Sequence, residues 1–190
     1  MLLNNKMKTM TAVLVLALIL TACSTADKPA GSTNSEASKT GPVTVALKGV
    51  GAAGVKLDNE LTLEKMLVYS VQDEYVAEQQ YKTILEDLGD NELFNKITAE
   101  ETMHVSAALP LLEKYNVAEV DADYKSIVAH PKDWKEAAET GVQAEINNIE
   151  MFETFLKQPN LPDDVKTIFT ELRDASKVHQ TQFEEAGKNL

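Results

Sequence analysis

Glu101-Thr102-Met103-His104 sits in the run 94–115, and the apolar spacing around it decides the fold. Phe94 and Ile97 precede Glu101 at steps of three and four. Ala108, Leu111 and Tyr115 follow His104 at steps of four, three and four. This alternation marks a helix stripe that faces other helices. A carboxylate and an imidazole one turn apart therefore replace two residues of an apolar seam. Residues i and i+3 share a helix face with Cβ atoms roughly 5–6 Å apart, so Glu101 and His104 can grip one metal ion. The motif carries little alone, because Glu is common. Its meaning depends on what the other helices bring.

Three further helices show the same pattern. The first spans 62–88, with Thr62 as N-cap and Gly89 as the stop. Its stripe Leu67, Val71, Glu74, Glu78, Tyr81, Leu85 meets a second stripe at Glu74, which makes Glu74 the best-centred carboxylate and Glu78 the weaker candidate. Tyr81 lies two turns beyond Glu74, as a core tyrosine or a hydrogen-bonding neighbour of the site. After Gly89-Asp90, with Asp90 as the expected cap, the second helix carries Glu101 and His104 to Tyr115 despite Pro110. The third runs 132–157, with Pro131 in the favoured first-turn position. Its seam Ala138, Val142, Glu145, Ile149, Phe152, Leu156 is interrupted by Glu145. The fourth spans 162–186 and stops at Gly187; its seam Val165, Ile168, Leu172, Ala175 reaches His179.

The connections are short, long and short. The long one covers 117–131, with a short helix within 124–129. A four-helix bundle with one crossover between its second and third helices has the ferritin-like topology. Each helix spans about 38 Å at 1.5 Å per residue. Every helix carries an ionisable interruption at mid-seam: Glu74, Glu101 with His104, Glu145, and His179. Burying three carboxylates together without cations is unfavourable. Two divalent ions would offset them and use both imidazoles. Glu139 and Glu150, off the seam, read as solvated, and His130, in a His-Pro turn, reads as an ordinary histidine rather than a ligand.

The remaining composition bounds the setting. Of 190 residues, 30 are Asp or Glu and 18 are Lys or Arg, giving a net charge of −12. That acidity argues against a nucleic-acid partner and suits cations. Lys6, Lys8 and the apolar run 10–20 form a signal peptide over 1–22, too short to span a bilayer comfortably. It ends in Leu20-Thr21-Ala22-Cys23, which resembles the lipobox of bacterial lipoproteins. Cys23 is the only cysteine. It would carry the lipid and anchor the chain on the extracytoplasmic face of a membrane, periplasmic or at the cell surface. Residues 23–58 read as a flexible tether whose glycine-broken end, 42–56, either packs loosely or stays irregular. The bundle occupies 59–190.

From Thr62 to Gly187 the chain resembles the ferritin-like superfamily of di-iron carboxylate bundles, which includes rubrerythrins and ferritins. It is similar above all to a prokaryotic ferritin-like domain family of unknown function. The matching patterns are Asp73-Glu74 with Ala77; Glu100-Glu101-x-x-His104 with Leu111-Leu112-Glu113-Lys114-Tyr115; Gly141 before Ala144-Glu145; and Ser176-x-x-His179 with Phe183. The superfamily uses one carboxylate from each of two helices and a Glu-x-x-His from each of the others. The resemblance implies Glu74 and Glu145 as the single carboxylates and Glu101 with His104 as the first pair. The second pair is broken, because Ser176 stands where Glu is expected before His179. Five ligands then hold two metals with water, recruit Glu78, or hold one metal tightly. The gap leaves an open coordination position or marks a decayed site.

The implied cofactor is iron, as two ions, with manganese or zinc as alternatives by ligand type. The implied activity is a ferroxidase- or peroxidase-type oxidoreductase using O₂ or peroxide. The competing expectation is a non-catalytic metal-binding or interaction module of the cell envelope. A homodimer is compatible with the sequence, and nothing in it signals a storage cage.

Overall fold

In the computed structural model, residues 41–119 and 121–189 are described. The expected signal peptide over 1–22, Cys23 and the part of the expected tether up to residue 40 lie outside them. The described chain is helical: α1 (Gly51–Val55), α2 (Leu63–Leu88), α3 (Glu92–Lys114), α4 (Trp134–Leu156) and α5 (Asp163–Lys188), with a single 3₁₀ turn at Tyr124–Ser126.

Thr62 caps α2 by accepting from the Lys65 N–H, and Gly89 ends it with φ of 99°, a left-handed geometry that suits glycine. The α3 cap is Asn91 rather than Asp90. Asn91 Oδ1 accepts from the Leu93 and Phe94 N–H groups, while Asp90 is taken by the Asn95 side chain. Likewise α4 begins at Trp134, two residues after the expected start, because the Asp133 carboxylate accepts from the Glu136 N–H and fixes the first turn there. Gly187 does not stop α5, which runs to Lys188. Pro110 stays inside α3.

The helices pair as α2 with α3 and α4 with α5, and the two pairs face each other with α2 against α4 and α3 against α5. The long link travels the length of α2. Tyr124 stacks on Tyr75, the Ala129 backbone exchanges two hydrogen bonds with Gln80, and His130 meets Asp87 at the far end. The link therefore delivers α4 to the end of the bundle where α3 begins, and Trp134 packs on Phe94 there. Consequently α4 runs antiparallel to α2. Contacts of Tyr115 with Asp164 and of Lys96 with Gln182 show α3 and α5 antiparallel as well.

Residues 41–58 join this unit rather than hanging free of it. Val43 forms a parallel bridge to Val117 in the link. Gly51 and Ala52 donate backbone N–H groups to the side chains of Gln72 and Asp73 on α2. Asp58 is buried against Tyr69 and Lys65. α1 thus lies on the α2–α4 face.

The core has two apolar halves. One includes Leu67, Val71, Leu111, Phe152, Phe155, Phe169 and Leu172. The other includes Tyr81, Ile84, Phe94, Ile97, Ala137 and Phe183. Gly141 lets α4 approach α5 closely: a β-carbon there would lie 2.7 Å from the Phe183 ring. Glu74, Glu101, Glu145, Asn148, Ser176 and His179 are buried in the layer between the halves.

Candidate metal centre

All four long helices contribute to that layer at the same depth, and the five predicted residues meet there. They form two sets, Glu74–Glu101–His104 and Glu101–Glu145–His179, whose ligand atoms lie within 4.8 Å of one another. Glu101 is shared. Its Oε2 lies 2.9 Å from His104 Nδ1, and its Oε1 lies 2.9 Å from His179 Nδ1. Glu74 Oε2 is 3.3 Å from His104 Nδ1, and Glu145 Oε1 is 3.6 Å from His179 Nδ1. The two imidazole rings stack with centroids 5.5 Å apart.

These spacings fit shared cations. A metal with bonds of roughly 2.0–2.2 Å to N and O donors sets neighbouring donors about 3 Å apart when they subtend a right angle. The directions fit too. Glu74 Oε2, Glu101 Oε1 and His179 Nδ1 are buried and lack a well-directed hydrogen bond. Glu101 Oε1 and His179 Nδ1 are close in distance, yet not aimed at one another. A buried polar atom without a partner costs about 1–3 kcal/mol; Glu74 Oε2 lies in the first set and Glu101 Oε1 and His179 Nδ1 in the second, so each set has a donor open to a cation.

The surrounding groups hold these donors in place. His179 Nε2 lies 3.1 Å from the Glu100 carboxylate, a contact that orients the ring and leaves Nδ1 facing inward. The Tyr81 hydroxyl donates to Glu145 Oε1 at 2.5 Å. Asn148 Nδ2 donates to Glu74 Oε1 and to Asp73 Oδ2, each at 3.0 Å. Ser176 donates to Asn148 Oδ1 at 2.7 Å, which fixes which way the amide points. Ser176 thus locks the amide that holds Glu74.

Glu78 is not part of the cluster. Its carboxylate accepts from the Thr102 hydroxyl and pairs with Lys82 at the α2–α3 boundary. Four residues along α2 is one turn too far along the bundle axis. Glu139 is exposed, as expected, and Glu150 pairs with Lys56 at the surface; His130 is exposed as well, away from the cluster.

Electrostatics follow from burial and proximity. Burial lowers both imidazoles, but the adjacent carboxylates outweigh it: Glu101 and Glu74 raise His104 to about 10, and Glu101 and Glu145 raise His179 to about 10. Burial raises Glu101, and the two neighbouring imidazoles, His104 through a hydrogen bond and His179 through its charge close by, bring it down to about 2. Glu74 is pushed up to about 8, chiefly by burial and then by the Glu101 charge. Glu145 is raised by burial, and the buried Tyr81 hydroxyl is raised well above its ordinary value for the same reason and by the Glu145 charge. In charge terms the protonated imidazoles stand where cations would stand.

Fold and site define a class: an all-helical bundle whose core is interrupted by a buried carboxylate–imidazole cluster with the ligand types of a metal site. No known protein family, curated protein or solved structure matches the chain.

Proposed function

We propose that this protein is a lipid-anchored, ferritin-like metal-binding protein of the cell envelope that holds two metal ions through Glu74, Glu101, His104, Glu145 and His179. The observation that carries the reading is the pair of three-residue sets sharing Glu101. The short–long–short order of connections and the antiparallel run of α4 against α2 support the ferritin-like part of it. Carboxylate and imidazole donors suit iron first, then manganese or zinc. Bound iron would supply one-electron chemistry toward O₂ or peroxide, so the reaction class is that of a ferroxidase or peroxidase. The chain's own contribution is to hold the donors in a largely buried layer and to orient them through Glu100, Tyr81 and Asn148.

The lipid anchor rests on Leu20-Thr21-Ala22-Cys23 alone. Among the described residues no helix is long and apolar enough to cross a membrane.

One observation favours the second reading, a non-catalytic metal-binding module. Ser176 supplies a hydroxyl already used by Asn148, so the donor set is one carboxylate short of the superfamily pattern. Elemental analysis of the purified protein tests the metal. Iron-dependent consumption of O₂ or peroxide, compared with a Glu101→Ala, His104→Ala double variant, separates the readings. Turnover lost in the variant supports the oxidoreductase. A loaded wild type with no turnover supports the binder, and turnover that survives the double change refutes the site.

A further inference from the structure

A cavity of about 540 Å³ opens between α1, α2, α4 and the link, and Glu145 forms part of its floor. Val50, Val76, Ala77, Ile127 and Ala144 make its walls, and the small alanines create its volume. That size falls in the range of small-molecule sites. Two features limit what it can take. Asp73 and Glu145 face it, and no Lys or Arg lines it; Lys56, at the rim, is held by Asn147 and Glu150. An anion is therefore disfavoured.

Its polar lining groups are also largely occupied by the protein. Gln80 is bonded at both ends to the Ala129 backbone. Asn148 is bonded to Glu74, Asp73 and Ser176. Both Asp73 oxygens accept, one from Asn148 and one from the Ala52 N–H. The Thr140 hydroxyl donates to the Glu136 carbonyl. Beyond these, the polar lining is the Glu145 carboxylate and the Gln143–Asn147 pair, so a guest would find mainly apolar surface.

We propose that this cavity binds a neutral organic molecule poor in hydrogen-bonding groups and holds it beside the Glu145 edge of the carboxylate–imidazole layer. Its role as a substrate of a metal centre rests on the proposed function; the binding itself does not. The segment 41–58 takes on a purpose in this light, because α1 supplies one wall of the site.

The probe is 4-fluoroanisole, followed by ¹⁹F NMR with the full-length chain under one set of buffer conditions. The anionic 4-fluorobenzoate serves as its comparison. Saturable binding of the neutral probe, at least ten-fold tighter than the anion and lost in both Ala77→Phe and Ala53→Trp, is the expected result. No saturable binding, equal binding of the anion, or binding unchanged in folded variants overturns the proposal.

Proximity is read by loading the chain with Mn²⁺ or with Zn²⁺. The Mn²⁺ form should broaden the bound probe at least three-fold more than the Zn²⁺ form, and the two cavity variants should abolish this while keeping the same metal content. Equal line widths in a chain shown to carry manganese overturn the placement beside the centre and leave the metal reading standing. A chain that takes up no metal refutes the metal reading, and the metal-free titration still decides the cavity.

Discussion

Metal binding should expel protons, and the number follows from the site. His104 and His179 are each raised to about 10, so both rings hold a proton at neutral pH. A metal needs the free Nδ1 lone pair, so each ion displaces one imidazole proton. Glu74, raised to about 8, gives up most of a third when it becomes a ligand. Full loading at pH 7 should release between roughly two and three protons per chain. Each imidazole displacement costs about 4 kcal/mol at pH 7, from roughly three pKa units at 1.36 kcal/mol per unit. Affinity should therefore rise with pH, by roughly ten-fold per unit for each displaced proton. Titration calorimetry with Zn²⁺ in two buffers of different ionisation enthalpy counts the protons directly. Release of fewer than about one proton per loaded chain, or an affinity flat between pH 6 and pH 8, would refute the assignment of these imidazoles as ligands.

Glu101→Gln should remove both sets at once, because one residue serves each. Metal stoichiometry should fall from two ions to below about one half by elemental analysis, and loss of the buried Glu101 charge between the two imidazoles should cost about 3–5 kcal/mol in urea unfolding. The metal-free protein should lose stability as pH rises. Both imidazoles sit above their ordinary value, so their contribution is complete below about pH 6.5 and is lost toward about pH 10; Glu74 acts in the same direction from about pH 4.5 to pH 8. Glu101, lowered to about 2, acts only below about pH 4.5 and does not offset this. A urea midpoint higher at pH 9 than at pH 6.5 would contradict the sign. Ser176→Ala should cost about 1–3 kcal/mol by leaving Asn148 Oδ1 without its donor. It should also weaken metal binding by loosening Glu74, and an unchanged metal affinity would show that the amide positions nothing.

The cluster residues were legible because a charge inside a three–four apolar stripe has no local explanation. Glu74, Glu101, Glu145 and His179 each break such a stripe, and all four are buried in the same layer. Glu78 breaks one too, but a stripe does not encode height along the bundle, and Lys82 and Thr102 hold it aside. The residues that brace the donors were harder to see. Asn148 lies one turn from Glu145 on the buried face of α4, where the expected seam ran through Ile149 instead, and its value depends on which residues of α2 and α5 come opposite it. Glu100 is the exposed-looking neighbour of Glu101 until α5 brings His179 to it. Tyr81 was visible on the α2 stripe, and its hydrogen bond to Glu145 depends on the α2–α4 register. The segment 41–58 has neither period nor length to announce a structure. Its order comes from Gln72, Asp73 and Asp58, which accept the hydrogen bonds its backbone and neighbours offer.

Anomalous scattering from crystals of the iron-loaded protein, measured at the iron edge, tests the central claim most directly. Two peaks are expected in the layer between the apolar halves of the core, one beside Glu74, Glu101 and His104 and one beside Glu101, Glu145 and His179. Iron found only at surface carboxylates, with none among these five side chains, would contradict it.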